Sequence, residues 1–330
     1  MVTIIGAGWY GCYLGIKFKE LGIEFEIIEK EDDLFKGSSS YNQNRLHLGY
    51  HYPRDFQTRN TSKIGFRRFI DEYPQIAKHI SNNIYAVHFK SLIDFETYLS
   101  IYKYENYDFE ILDMKQYDRF SNYQGMISVP EKLIDHNAAK EYFKSQSLPI
   151  KFNTHCYYKN DNIFSGVKKI ESDIIFDCTY GQLKCPRGFF MEDYLSFVYK
   201  KKRKVDWGAL TVMDGHFYSI YPFYDDYYTL TGVIEGVVDM HEYHSLGIDK
   251  YVNNRKNKLK NRIVCDYPDF SDDFEYSDFF ISKKCKPVSN SNNRATHIIK
   301  HNNIYTICSG KIDTIFQLDE LINRSLSKYI

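Results

Sequence analysis

The sequence predicts an α/β fold: a parallel sheet with a second α+β unit, built on an antiparallel sheet, inserted into it. Three observations predict it. The chain opens VTIIGAGWYGCYLGIKFKELGIEFEIIEK: a β-branched run, a glycine-spaced turn, an amphipathic stretch and a second apolar run ending on Glu29. Buried-strand text of the same kind returns near residues 150–181 and again at Ile304–Cys308. Between these pieces lie short runs separated by turns, the pattern of antiparallel strands.

Each element of the opening has a physical reason. Val2–Ile5 reads as a strand, Trp9–Leu21 as a helix with Leu14, Phe18 and Leu21 on one stripe, and Phe25–Ile28 as the next strand. Gly6, Gly8 and Gly11 stand at G-x-G-x-x-G spacing. The first permits the tight turn, the second lets a pyrophosphate approach the backbone, and the third lets helix and strand pack closely. The helix N-terminus offers free N–H groups and a positive dipole end to phosphates. Glu29 at the second strand tip is placed to accept hydrogen bonds from ribose hydroxyls. The opening therefore predicts a Rossmann-type dinucleotide site.

The stretch Gly37–Arg54 (GSSSYNQNRLHLGYHYPR) is a long polar loop, and such loops are usually functional. Phe56–Ile80 reads as helix interrupted near Pro74, Ile84–Phe89 as strand, and Asp94–Tyr104 as helix. Phe109–Leu112 and Met126–Val129 read as short strands, and Asp135–Ser145 as a helix capped by Asp135. Ile150–Tyr157 and Asp173–Cys178 read as strands. Leu195–Tyr199, Ala209–Met213, Phe217–Tyr221 and Tyr228–Val233 follow as an antiparallel set, and Asp249–Val264 as a charged helix. After Ile304–Cys308 come Ser309-Gly310-Lys311 and a helix from about Thr314 to Leu326.

Composition narrows the function classes. The 330 residues exceed the ~150 of one domain. Lys+Arg and Asp+Glu both number 43, a balance that argues against nucleic-acid or anionic-membrane binding. The seven cysteines form no C-x-x-C pair and suit a reducing compartment. No apolar run approaches the ~18 residues of a membrane span, and a cytoplasmic location is expected. The basic run Lys200–Val205 reads as a solvated hairpin rather than a nuclear-import signal.

Four of these stretches together resemble the D-amino-acid-oxidase-like family of FAD-dependent oxidoreductases. Gly6–Gly11 with Glu29 matches its FAD fingerprint. Ser38–Tyr52, with N-x-N-R-L-H-L-G-Y-H-Y-P, resembles its flavin-side loop. Ile174–Gly181 resembles its D-x-V-V-x-A-T-G strand, and Ile307–Thr314 (ICSGKIDT) its C-terminal G-G-K-x-T-T turn. The resemblance implies non-covalent FAD held by Gly6, Gly8, Trp9, Tyr10, Gly11, Glu29, Lys30, Ser39, Asn44, Arg45, Leu46, Cys156, Thr179, Gly181, Gly310, Lys311 and Ile312. Lys311 and the turn's N–H groups would stabilise negative charge on reduced flavin. The FAD-binding domain is expected at 1–80, 146–185 and 288–330, and the substrate domain at 81–145 and 186–287.

The implied reaction is hydride transfer from a C–N or C–O bond of a small polar substrate, sugar-like or anionic, to the flavin, with oxygen or another acceptor reoxidising it. The catalytic set is His47, His51, Tyr218, Tyr221 and Lys311, with the tyrosines lining the substrate cavity and a histidine as base for an alcohol. The family's substrate-binding Arg-Pro is replaced by Lys286-Pro287, and Lys cannot make the bidentate fork to a carboxylate. Two other readings stay open: a flavin-dependent sugar mutase or monooxygenase, and a non-catalytic dinucleotide-binding protein.

Overall fold

The computed structural model describes residues 1–288 and 295–325. Its first sheet has six strands in the order His297–His301, Ile304–Cys308, Ile174–Asp177, Val2–Ile5, Phe25–Ile28, Ile150–Lys151. All neighbours run parallel except His297–His301, which is antiparallel to Ile304–Cys308. The central strands read as continuous apolar runs because helices and loops cover both faces. Val2–Ile5 sits at the centre, so the glycine turn after it opens over the sheet's C-terminal edge, where ligands bind in such folds.

The second sheet has eight strands in the order Phe274–Pro287, Phe189–Lys201, Tyr227–Gly232, Tyr218–Tyr224, Ala209–Met213, Asn83–His88, Tyr123–Ser128, Glu110–Ile111. Its pairs are antiparallel save one: Ala209–Met213 runs parallel to Asn83–His88. Phe274–Pro287, absent from the sequence reading, pairs along its whole length with Phe189–Lys201. Its exposed Lys and Asp positions hid the strand period. Two three-stranded sheets complete the fold, Arg45–Leu46/Lys132–Ile134/Ala77–His79 and the meander Cys156–Lys159/Asn162–Ser165/Lys168–Lys169.

Several boundaries differ from expectation. The helix expected to reach Ile80 ends at Glu72; Tyr73 leaves helical geometry before Pro74, and Ala77–His79 turns back as a strand. The Ile150–Tyr157 strand divides at Asn153, whose φ is 53°. Asp135 does cap its helix, accepting from Ala138 N at 2.9 Å. After Lys311 the chain makes a 3₁₀ turn, Ile312–Gln317, before the helix Leu318–Ser325; the expected end at Leu326 lies outside the described residues. In the basic run, Lys201 pairs with Asp226 and Arg203 with Asp273.

Two cores hold the two sheets. One packs the helices Trp9–Glu20, Phe56–Glu72 and His136–Ser145 around the parallel sheet, centred on Trp9 with Phe35, Phe69, Tyr73 and Phe143. The other buries the outer face of the eight-stranded sheet under the helix Ile248–Asp266. The sheet's opposite face looks across a cavity toward the parallel sheet.

Candidate active site

The cavity has a volume of about 890 Å³ and is walled by both sheets. One end is formed by Glu29, Lys30, Glu31, Thr154 and His155; its middle by Gly6, Gly8 and Ser39; its far end by Arg45, His47, His51, Thr211 and Lys311.

At the middle, Gly6 adopts φ 99°, a conformation that favours glycine, and a Cβ on Gly11 would stand 1.9 Å from the Gly6 carbonyl oxygen. A Cβ on Gly8 would point at Ser39, 2.8 Å from its Oγ. Gly8 gives the helix no side-chain cap; instead Ser39 Oγ accepts from Trp9 N at 3.1 Å. The rest of the first turn is left to whatever enters the cavity. Glu29 accepts from Ala7 N at 2.6 Å and Glu31 N at 3.0 Å, which fixes the carboxylate at the cavity's end. These residues fit a dinucleotide: a side-chain-free approach for the pyrophosphate, a helix N-terminus behind it and a ribose acceptor beyond.

The other expected cofactor residues fall into distinct places. Lys30, Ser39, Asn44, Cys156, Thr179, Gly310 and Ile312 line the cavity. Asn44, at φ 52°, keeps a buried Nδ2 that has no hydrogen-bond partner among the described residues. Thr179 is held by Asp177, whose Oδ1 accepts from both its N–H and its hydroxyl, at 3.0 and 2.6 Å. Trp9 and Leu46 send their side chains into the core, so only their backbone can serve the cofactor. Tyr10 lines the cavity but spends its hydroxyl on structure, bonding Ser309 Oγ and donating to the Lys311 carbonyl at 2.7 Å. Burial pushes that phenol up to about 12. Gly181, at φ 77°, sits behind the cavity lining, packed against Cys285 and Met191.

The far end is built around a carboxylate that the sequence reading missed. Glu131 is fully buried. Its Oε1 accepts from Leu48 N at 2.8 Å and Gly49 N at 3.2 Å, and its Oε2 from Tyr85 OH at 2.5 Å. Burial would raise its pKa, but His47, Arg45 and the Tyr85 hydrogen bond outweigh that, and it stays ionised. Arg45 donates to Tyr85 OH at 2.8 Å and Thr211 Oγ1 at 2.7 Å, and its guanidinium stacks over Tyr221 at 4.5 Å. His47 Nδ1 lies 3.7 Å from Glu131 Oε2. At that separation the contact is electrostatic rather than a hydrogen bond. Burial, then Lys311, pushes His47 down to about 3, and burial with Arg45 and His47 depresses His51. Both imidazoles are neutral at physiological pH. Lys311 Nζ lies 4.4 Å from the Tyr52 ring centroid, beside the two histidines.

The two expected cavity tyrosines are arranged differently: Tyr218 lines the cavity wall but turns its hydroxyl away from it, and Tyr221 lies behind the lining. Tyr218 and Tyr221 belong to one strand, and their odd spacing puts them on opposite faces. Tyr218 points into the helix-covered core, where its hydroxyl meets Tyr123 OH at 2.9 Å and Asp266 Oδ2 at 3.1 Å. Tyr221 is on the correct face but lies behind Arg45, packed on Ile80 and Ala209, and accepts from Asn83 Nδ2 at 3.0 Å. The sheet's cavity face carries hydroxyls from Ser196, Thr211, Ser219 and Thr231, with Gln43 bonded to Ser219 Oγ at 2.8 Å.

No family model matches the chain. The FAD-dependent monooxygenase FPY4 of Fusarium mangiferae is 27% identical over 339 residues, covering 97% of this chain and 89% of the relative. The FAD-dependent monooxygenase kojA of Aspergillus flavus is 24% identical over 353 residues, covering 95% and 82%. Among solved structures, glycine oxidase from Geobacillus kaustophilus superposes with TM-score 0.71 at 11% identity, covering 98% of this chain and 94% of that one. Dithionite-reduced L-α-glycerophosphate oxidase from Mycoplasma pneumoniae, with FAD bound, gives 0.72 at 12% identity, covering 98% and 93%. At such identities the structural likeness is one of fold. The dinucleotide cradle and the curated relatives support an FAD-dependent oxidoreductase, and the fold is the one these solved oxidases share. Such an enzyme takes a small-molecule substrate and an electron acceptor. Among the described residues no helix is long and apolar enough to cross a membrane.

Proposed function

We propose that the protein oxidises a C–O or C–N bond of a small polar substrate, a hydroxylated one above all, by hydride transfer to FAD. The observation that carries this reading is His47: a neutral imidazole backed by an ionised, fully buried Glu131, in the cavity that also contains the glycine cradle. Bound FAD would supply the two-electron acceptor. His47, or His51 beside it, takes the hydroxyl proton as the carbon gives up its hydride. Arg45 presents a fixed positive charge, and Ser219 and Thr231 offer hydroxyl partners, which suits a polyol or an anionic sugar derivative. Lys311 balances negative charge gained on reduction. Lys286 is tied to Glu192 at 2.5 Å, which supports weak recognition of a substrate carboxylate. On this reading 1–80, 146–185 and 288–330 serve the cofactor and 81–145 and 186–287 the substrate; 289–294 and 326–330 lie outside the described residues.

The test is anaerobic reduction of the holoenzyme by a panel of hydroxylated compounds. His47→Gln should slow the reductive step by roughly 10²-fold or more, with the oxidised flavin spectrum unchanged. Reduction at the parent rate would remove His47 from the chemistry. A second reading, oxygen insertion, is favoured by the names of the two fungal relatives. It requires NAD(P)H consumption and an atom of labelled oxygen in the product.

A further inference from the structure

Three cysteines meet where the eight-stranded sheet abuts the parallel one. Cys285 Sγ lies 3.4 Å from Cys308 Sγ, both side chains are buried, and both residues line the dinucleotide cavity. Half-buried Cys185 lies near enough to Cys285 for the two thiols to influence each other's titration. Gly181 makes the room, since a Cβ there would come 2.8 Å from Cys285 Sγ. Cys308 is followed directly by the Ser309–Lys311 turn. The Cys308 contact holds the Cys285 thiol below its ordinary value, while that same contact and burial push Cys308 up. One sulfur is thereby made the nucleophile and another, in contact with it, stays protonated.

We propose that Cys285 and Cys308 form a redox-active dithiol in the cavity wall, oxidised by peroxide to a disulfide, with Cys185 the thiol that exchanges into it. Cys285 attacks one peroxide oxygen and the O–O bond breaks. The departing hydroxide leaves as water with one proton, and Cys285 becomes a sulfenic acid. Cys308 sulfur then displaces the hydroxyl, which leaves as a second water with the Cys308 proton. Two thiols lose two electrons, and the peroxide oxygens gain them. The sulfurs close from 3.4 Å to a bond of ~2.05 Å. In exchange, Cys185 sulfur attacks Cys285 and Cys308 leaves as the thiol. Peroxide would arise in this cavity if oxygen is the electron acceptor, and only that source rests on the proposed function.

The test supplies peroxide from outside, so the two proposals fail separately. Reduced holoenzyme, freed of reductant, is treated with hydrogen peroxide, alkylated, digested and analysed by mass spectrometry. Exposed Cys265 serves as the internal reference. The Cys285–Cys308 linked pair should form at least an order of magnitude faster than Cys265 is oxidised. In Cys308→Ser, Cys285 should stop as a dimedone-reactive sulfenic acid or link to Cys185. Oxidation of Cys265 first, or over-oxidation of Cys285 while Cys308 stays alkylatable, would overturn the proposal.

Discussion

Glu131 carries more of the site than any residue the motifs single out. It is one acid in the run SVPEKLID, with nothing around it to mark it, because its partners Leu48, Gly49, Tyr85 and His47 come from two distant segments. Gly6, Gly8, Gly11 and Glu29 were legible because their spacing is itself the structure. Tyr218 and Tyr221 were half legible: strand parity says they face opposite ways, but only the sheet's packing says which face is inward. Replacing Glu131 by Gln leaves buried Arg45 without its counter-charge and should cost on the order of 3 kcal/mol in urea unfolding. An unchanged midpoint would mean the carboxylate is not the counter-ion. The histidines set a pH dependence. With folded pKa values depressed below the ordinary 6.5, to about 3 for His47, the unfolded chain binds more protons than the native one between these limits. Their contribution to stability is therefore present above pH ~6.5 and lost as pH falls through that window. Glu131 loses its contribution in acid as well. The melting temperature should fall between pH 7 and 5, and less steeply in His47→Gln; equal slopes would place the titration elsewhere.

Neighbouring elements hold the Ser309–Lys311 turn in place although it leaves the sheet as a loop. The helix that begins at Trp9 reaches it through Tyr10, whose hydroxyl meets Ser309, Thr296 and the Lys311 carbonyl. The helix Phe56–Glu72 meets it at Gly65, where a Cβ would stand 1.8 Å from the Asp313 carbonyl oxygen. Gly65→Ala should therefore displace the turn and destabilise the protein by about 1–3 kcal/mol, the range for overpacking. Wild-type stability with wild-type FAD retention would show that the turn is free to shift. Lys311→Met tests the turn's electrostatic role. Loss of one positive charge, worth about 1–3 kcal/mol in charge-assisted contacts, should lower the flavin potential by tens of millivolts at ~30 mV per 1.4 kcal/mol. An unchanged potential would separate Lys311 from the flavin. The C-terminal return strand and this turn were readable from ICSGKIDT. The 3₁₀ geometry of Ile312–Gln317 was not, and its packing against the helix at Gly65 joins segments distant in sequence.

As a whole the molecule is two sheets facing one cavity, one sheet carrying the dinucleotide cradle and the other a hydroxyl-lined face. The parallel sheet could be read from apolar runs because burial on both faces writes them plainly. Phe274–Pro287 could not, since a long strand with exposed charges reads as a polar segment until its partner Phe189–Lys201 is known. Gly8→Val probes the cradle: the added side chain would collide with Ser39, whose Oγ accepts from the helix's first N–H, and the protein should purify without flavin. Full retention of FAD would put the cofactor elsewhere. The central claim is that substrate hydride reduces the bound flavin directly. Its most direct test is to mix oxygen-free holoenzyme with hydroxylated substrates, polyols and sugar derivatives among them, and record the visible flavin band. The band should bleach without NAD(P)H and return on admitting air or an artificial acceptor. Bleaching that occurs only with NAD(P)H, followed by labelled oxygen in the product, would contradict the claim.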